Sequence, residues 1–196
     1  MIGALPEHLI VGGKECEIRS DYRCVLGVFE AFNSAELTQE EKWIVAIYLL
    51  FEDFSCAEDV FSAVENGFNV EDAAKQITWF ILAEKELKDK KELPTYDWEY
   101  DEQMIFSAVN KVYRGEVREV DYMHWWTFLG YFNEVDEGMF SFIVGIRNKL
   151  NNHKKLEKHE REFLNKNKNL VKIKPRLTRE EAEEKAEEDR IWSEIL

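Results

Sequence analysis

The sequence predicts a mainly α fold, a multi-helix orthogonal bundle with a short N-terminal β-hairpin and a C-terminal helical tail. Apolar residues recur at helical spacing along most of the chain, and helix-start signals precede several of these stretches. Only three Pro and nine Gly occur among 196 residues, which argues against a loop-rich or all-β protein. Hydrophobic residues make up 45% of the chain and aromatic residues 13%, so material for a packed core is ample.

The first residues predict a β-hairpin. Residues 9–11 and 14–18 are two short strand-like runs, and Gly12 and Gly13 form the turn between them. Because an isolated hairpin is only marginally stable, we expect this one to pack on helices.

Four helices are predicted in the next part of the chain, up to a polar stretch at residues 88–92. Their start signals are Ser20-Asp21, the capping boxes at 38–41 and 55–58, and Asn69. Pro94 then breaks the chain, and residues 88–97 are the best internal boundary before residue 150.

The second half predicts further helices. The segment 96–101 leads into a helix that ends at Gly115, and later helices cover residues 119–133, 139–150 and 156–169. Pro175 breaks the chain again, and a capping signal at 178–181 opens a last helix rich in Glu and Ala. That helix is either a solvated tether or a tail whose terminal Trp192 and Leu196 dock elsewhere. The predicted domains are therefore 1–173, the helical domain with its hairpin, and 174–196, the charged tail.

The segment 122–133 is apolar on almost every side of its predicted helix. Trp125 and Trp126 are adjacent, so their side chains point about 100° apart on a helix. We expect one of them to lie in the core and the other nearer the surface. The candidate protein-binding residues are Trp125, Trp126, Tyr131, Met139 and Phe142.

Charge is distributed unevenly along the chain. Residues 1–146, the acidic body, hold 12 Lys and Arg against 29 Asp and Glu, whereas residues 147–177 hold 11 against 3. The basic segment could contact the acidic body, an acidic partner or a polyanion such as nucleic acid, with Arg147, Lys154, Lys155 and Lys158 as the candidate contacts. The acidic body and the scarcity of aromatic residues in the basic segment argue against nucleic acid as the main ligand.

No residue pattern indicates catalysis or a metal site. None of the four His residues pairs with another at helical spacing, and Gly12-Gly13 lacks the remainder of a phosphate-binding loop. The densest carboxylate cluster, at residues 97–102, lies where negative charge complements a helix dipole. We therefore expect a binding protein without catalytic residues, metal or cofactor.

Two further features concern the cellular compartment. Three Cys residues without CxxC spacing are typical of reduced thiols in a cytosolic protein. The longest uncharged apolar run, at residues 43–51, is too short to span a bilayer, and the N-terminus lacks the features of a secretory signal. We expect the protein to work in the cytoplasm of the cell that makes it, away from membranes.

Several segments together resemble a bacteriophage family, the "gene product fifteen" proteins of siphophages of Gram-positive bacteria. The matching segments cover residues 5–172: the hairpin, Ser20-Asp-Tyr-Arg23, Tyr96-Asp97, residues 121–129, Gly145-Ile-Arg-Asn-Lys149 and the basic helix. Residues 121–129 and 145–149 are the most specific of them. The helix after Pro175 lies outside the family pattern.

The resemblance implies a role in tail assembly. Genes of this family lie in the tail module, just before the gene for the tape measure protein, where tail assembly chaperones are encoded. The implied function is non-covalent binding of the tape measure protein, or of the tail-tube protein, in the host cytoplasm, by a protein that is absent from the mature virion. A companion tail chaperone or a second copy of the chain could join the complex. The alternatives are a structural tail or tail-completion component and a nucleic-acid-associated protein that uses residues 147–177.

Overall fold

The computed structural model describes residues 3–83 and 93–173, and these form a mainly α protein with an N-terminal hairpin, as predicted. Strands β1 (His8–Val11) and β2 (Lys14–Glu17) pair antiparallel, with Leu9 opposite Cys16. The turn confirms the Gly-Gly prediction, since Gly12 and Gly13 have φ values of 58° and 80°. A two-residue turn of this kind requires positive φ at both positions, which glycine adopts without steric cost.

The helices follow the hairpin in an order close to the predicted one. Their bounds are α1 Tyr22–Asn33, α2 Gln39–Leu50, α3 Ala57–Glu65, α4 Val70–Ile81, α5 Glu102–Tyr113, a 3₁₀ turn Val117–Glu119, α6 Trp125–Asn133, α7 Met139–Asn151, α8 Lys158–Lys166 and α9 Lys168–Val171. The predicted tail, residues 174–196, lies outside the described residues. Helix α4 ends at Ile81 with a turn at residues 82–83, earlier than the predicted end near residue 87, and residues 84–92 lie outside the described part.

Three of the four predicted N-terminal caps are formed as predicted. Asp21 accepts the backbone N–H of Arg23 in α1, Asn69 accepts that of Asp72 in α4, and Thr38 forms a reciprocal box with Glu41. The box before α3 is displaced by one residue from the prediction, because Asp59 rather than Glu58 accepts the amides of Ser55 and Cys56.

Helix α6 is shorter than the predicted helix at 119–133, because the residues before it pair with another segment. Tyr22 donates its backbone N–H to Met123 at 2.9 Å, and Trp125 donates to Ser20 at 2.7 Å. The Asp21 carboxylate also accepts the N–H of Met123 at 3.0 Å. Residues 120–124 are therefore held extended against the start of α1.

One large core joins the hairpin to helices α1 to α7. Leu9 and Val11 pack toward α4, while Tyr22 stacks on Phe128 with ring centroids 4.4 Å apart. A small separate cluster of Ile146, Leu156 and Val171 fastens α8 and α9 to α7, with Phe142, Phe163 and Leu164 at its edge. Within the described residues, no helix is both long and apolar enough to cross a membrane.

Candidate protein-binding site

The two adjacent tryptophans occupy different environments. Trp125 is 1% exposed within the main core, whereas Trp126 is half-buried and contacts Trp79 at 5.5 Å between ring centroids. Both indole N–H groups donate to the last carbonyls of α4: Trp125 Nε1 to Ile81 at 2.9 Å and Trp126 Nε1 to Phe80 at 2.8 Å. The last carbonyls of a helix lack intrahelical donors, and that of Phe80 also accepts the backbone N–H of Ala83 at 3.2 Å, so the tryptophan pair adds to the C-terminal cap of α4.

Its burial removes Trp125 from the candidate contacts. A side chain that is 1% exposed cannot reach a partner without opening the core. The other tryptophan, Trp126, forms with Trp79 an aromatic pair that is accessible in part, since Trp79 is 38% exposed.

His124, which lies next to the tryptophans, is a structural group. Its Nδ1 accepts the backbone N–H of Trp126 at 3.0 Å and so caps α6, which leaves Nε2 to donate to the carbonyl of Pro6 at 3.0 Å. The ring therefore connects Pro6, shortly before the hairpin, to the start of α6, with both of its nitrogens hydrogen-bonded inside the protein.

The two remaining aromatic candidates, Tyr131 and Phe142, belong to different hydrophobic clusters. Tyr131 is half-buried against Tyr113 in the main core, and Phe142 packs on Phe163 in the small cluster, with centroids 5.3 Å and 5.0 Å apart respectively. Met139, at 52% exposed, is the candidate most open to solvent.

Arg147 is not a polyanion contact, contrary to prediction, because its guanidinium is buried and fully used. The side chain is 4% exposed and binds the Asp101 carboxylate through Nη1 at 2.5 Å and Nη2 at 2.9 Å. Its other N–H groups donate to backbone carbonyls of Thr95, Leu170 and Val171. A nucleic-acid phosphate would have to displace this entire network.

The other basic candidates are open to solvent. Lys154 and Lys155 lie in the loop after α7, and Lys158 begins α8. The neighbouring charges Arg161, Lys166, Lys168 and Lys172 are exposed too, whereas Lys149 is engaged with Glu160 at 2.6 Å. Between Lys154 and Lys172 the chain thus exposes seven cations against two carboxylates, Glu157 and Glu162. We call these seven cations the basic surface.

An open trough of about 440 Å³ lies between α1 and α5, and none of its lining residues was a sequence candidate. Five of its fourteen lining residues are aromatic. Phe29 and Trp98, stacked at 5.6 Å between centroids, are half-buried, whereas the other three are buried beneath them. The residues of the trough are Tyr22, Arg23, Leu26, Gly27, Phe29, Glu30, Asn33, Trp98, Glu99, Glu102, Ile105, Phe106, Arg118 and Phe128. We call it the aromatic trough.

Charged side chains surround the aromatic trough. Both of its arginines are engaged by carboxylates of the same protein: Arg23 Nε lies 2.7 Å from Asp21, and Arg118 Nε lies 2.7 Å from Glu116. The hydrogen bond from Arg118 lowers the pKa of Glu116 to about 2. The exposed carboxylates Glu30 and Glu102 lie on opposite walls. The surroundings of the trough are therefore net negative.

One sequence signal could have located the trough. The apolar residues of α1 occupy more than one helix face: Val25 and Val28 are fully buried, whereas Leu26 and Phe29 are half-buried. An apolar arc wider than the core needs is typical of a helix that contributes to a second surface.

Within residues 3–83 and 93–173, no group of three or more His, Cys, Asp or Glu side chains could hold a metal ion. The carboxylate cluster at 97–102 has structural roles instead. Asp97 Oδ1 accepts the backbone N–H of Glu99 and of Tyr100, Asp101 binds Arg147, and Glu102 lies in the first turn of α5.

Comparison with known proteins identifies the family. No curated protein and no solved structure matches the chain. A family model described as Bacteriophage Gp15 protein matches residues 2–173, which is most of the chain and includes every described element. The chain belongs to the bacteriophage Gp15 protein family.

Proposed function

We propose that this phage protein is a tail assembly chaperone that binds the tape measure protein, or the tail-tube protein, non-covalently during tail assembly. Membership of the Gp15 family over residues 2–173 carries the proposal. The resemblance to this family implies a gene position beside the tape measure gene. The aromatic trough is consistent with it, since its half-buried rings, Phe29 and Trp98, supply contact area with few rotatable bonds to immobilise.

The charge of the chain suits such a role. A formal net charge of −14 keeps a complex with an apolar partner soluble through repulsion between complexes. We propose that binding takes place in the host cytoplasm, without catalysis, and that the protein leaves before the virion is complete. A companion tail chaperone could share the complex.

Co-expression with the tape measure protein tests the proposal. We expect the tape measure to become more soluble and to co-purify with this chain. If neither occurs, the chaperone function is wrong. Mass spectrometry of purified particles separates the chaperone from a structural tail or tail-completion component, because only the latter would be present in stoichiometric amount.

The basic surface favours a second candidate function, nucleic-acid association. Its cations project from α8, α9 and the loop before them, so they could meet phosphates without unfolding. A gel shift that weakens with salt, and is lost in Lys154→Glu/Lys155→Glu/Lys158→Glu, would support this function. The matched control, Lys14→Glu/Lys75→Glu/Lys111→Glu, has the same net charge but keeps the basic surface. Equal loss in both variants would indicate a non-specific charge effect.

A further inference from the structure

We propose that the aromatic trough binds an amphipathic helix whose apolar stripe is flanked by lysine or arginine residues. The inference rests on the proposed function only for the identity of the protein that supplies this helix. Three observations support it: the shape of the trough, the charge at its rim, and the poor fit of two segments of the chain itself, residues 174–196 and α8.

The trough has the length of a helix segment. Along α1 it is lined from Tyr22 to Asn33, and eleven helical rises of 1.5 Å make this wall about 16 Å long. Trp98 and the first turns of α5 form the opposite wall. A groove about 16 Å long accommodates about three helical turns, whose apolar side chains would lie on the half-buried lining residues Leu26, Phe29 and Trp98.

The charges at the rim select the partner. Arg23 and Arg118 are engaged by Asp21 and Glu116, so they offer an incoming carboxylate little attraction. Glu30 lies on one wall and Glu102 on the other, so a helix in the trough would have a carboxylate on each side. Basic residues that flank an apolar stripe would meet these two carboxylates, whereas acidic ones would be repelled.

The chain's own segments do not fit as occupants. Residues 174–196 contain 5 Lys and Arg against 8 Asp and Glu, so their net charge has the wrong sign. Helix α8 is basic, but its apolar residues Phe163 and Leu164 already pack on the small cluster with Ile146. A second copy of the chain therefore has no apolar stripe available on α8. The occupant that we propose is a helix of another protein.

A peptide experiment tests the trough on the full-length protein. The probe is a fluorescent amphipathic peptide of Leu and Lys, about five helical turns long, and the matched probe replaces each Lys with Glu. We expect the Leu–Lys peptide to bind in an anisotropy titration and the Leu–Glu peptide not to bind. Glu30→Lys/Glu102→Lys should weaken binding about tenfold, since two attractive contacts become repulsive.

A control variant separates a local effect from the net charge. Glu40→Lys/Glu65→Lys makes the same change of charge on α2 and α3, away from the trough, and should alter binding less than about twofold. Equal weakening in both variants, or equal binding of both peptides, would overturn the inference. All four substituted residues are exposed, and thermal unfolding verifies that each variant is folded.

The same variants distinguish this inference from the proposed function. If the tape measure protein co-purifies with the wild type and equally with Glu30→Lys/Glu102→Lys, the chaperone function stands and the trough is not its site. If the wild type does not bind the tape measure protein but binds the Leu–Lys peptide through the trough, the proposed function fails and the inference about the trough stands.

Discussion

Arg147 uses every N–H group of its guanidinium inside the protein. Two of them meet Asp101 at the start of α5, and three meet carbonyls of Thr95, Leu170 and Val171. One side chain thus joins α7 to α5, to the loop before α5 and to α9. Only arginine offers five donors in a planar fork, so no other residue type can replace it here.

We expect Arg147→Met to lower the free energy of unfolding by about 3–5 kcal/mol, because it leaves the Asp101 carboxylate buried without its cation. Arg147→Lys should recover only part of this loss, since an ammonium has three donors. Urea denaturation measures both changes. Arg161→Met, on the exposed face of α8, is the control and should cost at most about 0.5 kcal/mol. Equal midpoints for the Arg147 and Arg161 variants would contradict the role of the network.

The tryptophan pair has a comparable structural role. We expect Trp126→Phe to cost about 1 kcal/mol, the value of one hydrogen bond to Phe80, because the ring is half-buried. Trp125→Phe should cost about 2–4 kcal/mol, since it removes the bond to Ile81 and also leaves a void in the core. Thermal or urea unfolding gives both values.

Partner binding provides a second measurement for the tryptophans. At a temperature at which Trp125→Phe remains folded, its co-purification with the tape measure protein should equal that of the wild type. A loss of binding without a loss of stability would return Trp125 to the binding site.

At the scale of elements, short-range signals in the sequence located the hairpin turn and most helix starts. Gly12-Gly13 and the caps Asp21, Thr38 and Asn69 act within a few residues of their own position, so they could be read without knowing the fold. The end of α2 could not be predicted in this way. There Arg19 donates to four carbonyls of residues 48, 51, 52 and 54, a contact across about 30 residues of chain.

The turn after α5 gives a pH-dependent prediction. Glu116 accepts bonds from Arg118 and from the Asn110 side chain, and the Arg118 hydrogen bond lowers its pKa to about 2. A carboxylate whose pKa is lower in the folded state stabilises the fold above its unfolded pKa of about 4.3. This contribution is lost as the pH falls from about 4.3 to 2. We therefore expect Glu116→Gln to flatten the decrease in stability over that interval.

Urea midpoints measured at several acidic pH values test this expectation. Glu119→Gln is a suitable control, because Glu119 is exposed in the same turn and its bond to Glu116 comes from the backbone N–H. Identical pH profiles for the wild type and Glu116→Gln would show that the Arg118 bond does not stabilise the fold.

At the scale of the whole molecule, the most specific family segments are the framework of the fold. Residues 121–125 pair with the start of α1, and Arg147 of the segment 145–149 joins three elements. The resemblance therefore indicated the family without indicating the site. Only the α1 wall of the aromatic trough left a signal in the sequence, the wide apolar arc of that helix. The rest of the trough comes from residues 98–106 and the 3₁₀ turn, which only long-range packing brings to α1.

The fold also predicts where the chain can be shortened. A chain that ends at residue 173 keeps the small cluster and every acceptor of Arg147, so its unfolding should remain cooperative and its midpoint close to that of the full chain.

A chain that ends at residue 155 exposes Ile146 and removes the carbonyls of Leu170 and Val171 from Arg147. We expect the shorter form to lose about 3–5 kcal/mol or to aggregate, because a buried guanidinium is left with unsatisfied donors. Urea denaturation of the two truncated forms beside the full chain provides the test. A midpoint for the shorter form equal to that of the longer one would mean that α8 and α9 are an appendage and that the domain ends before them.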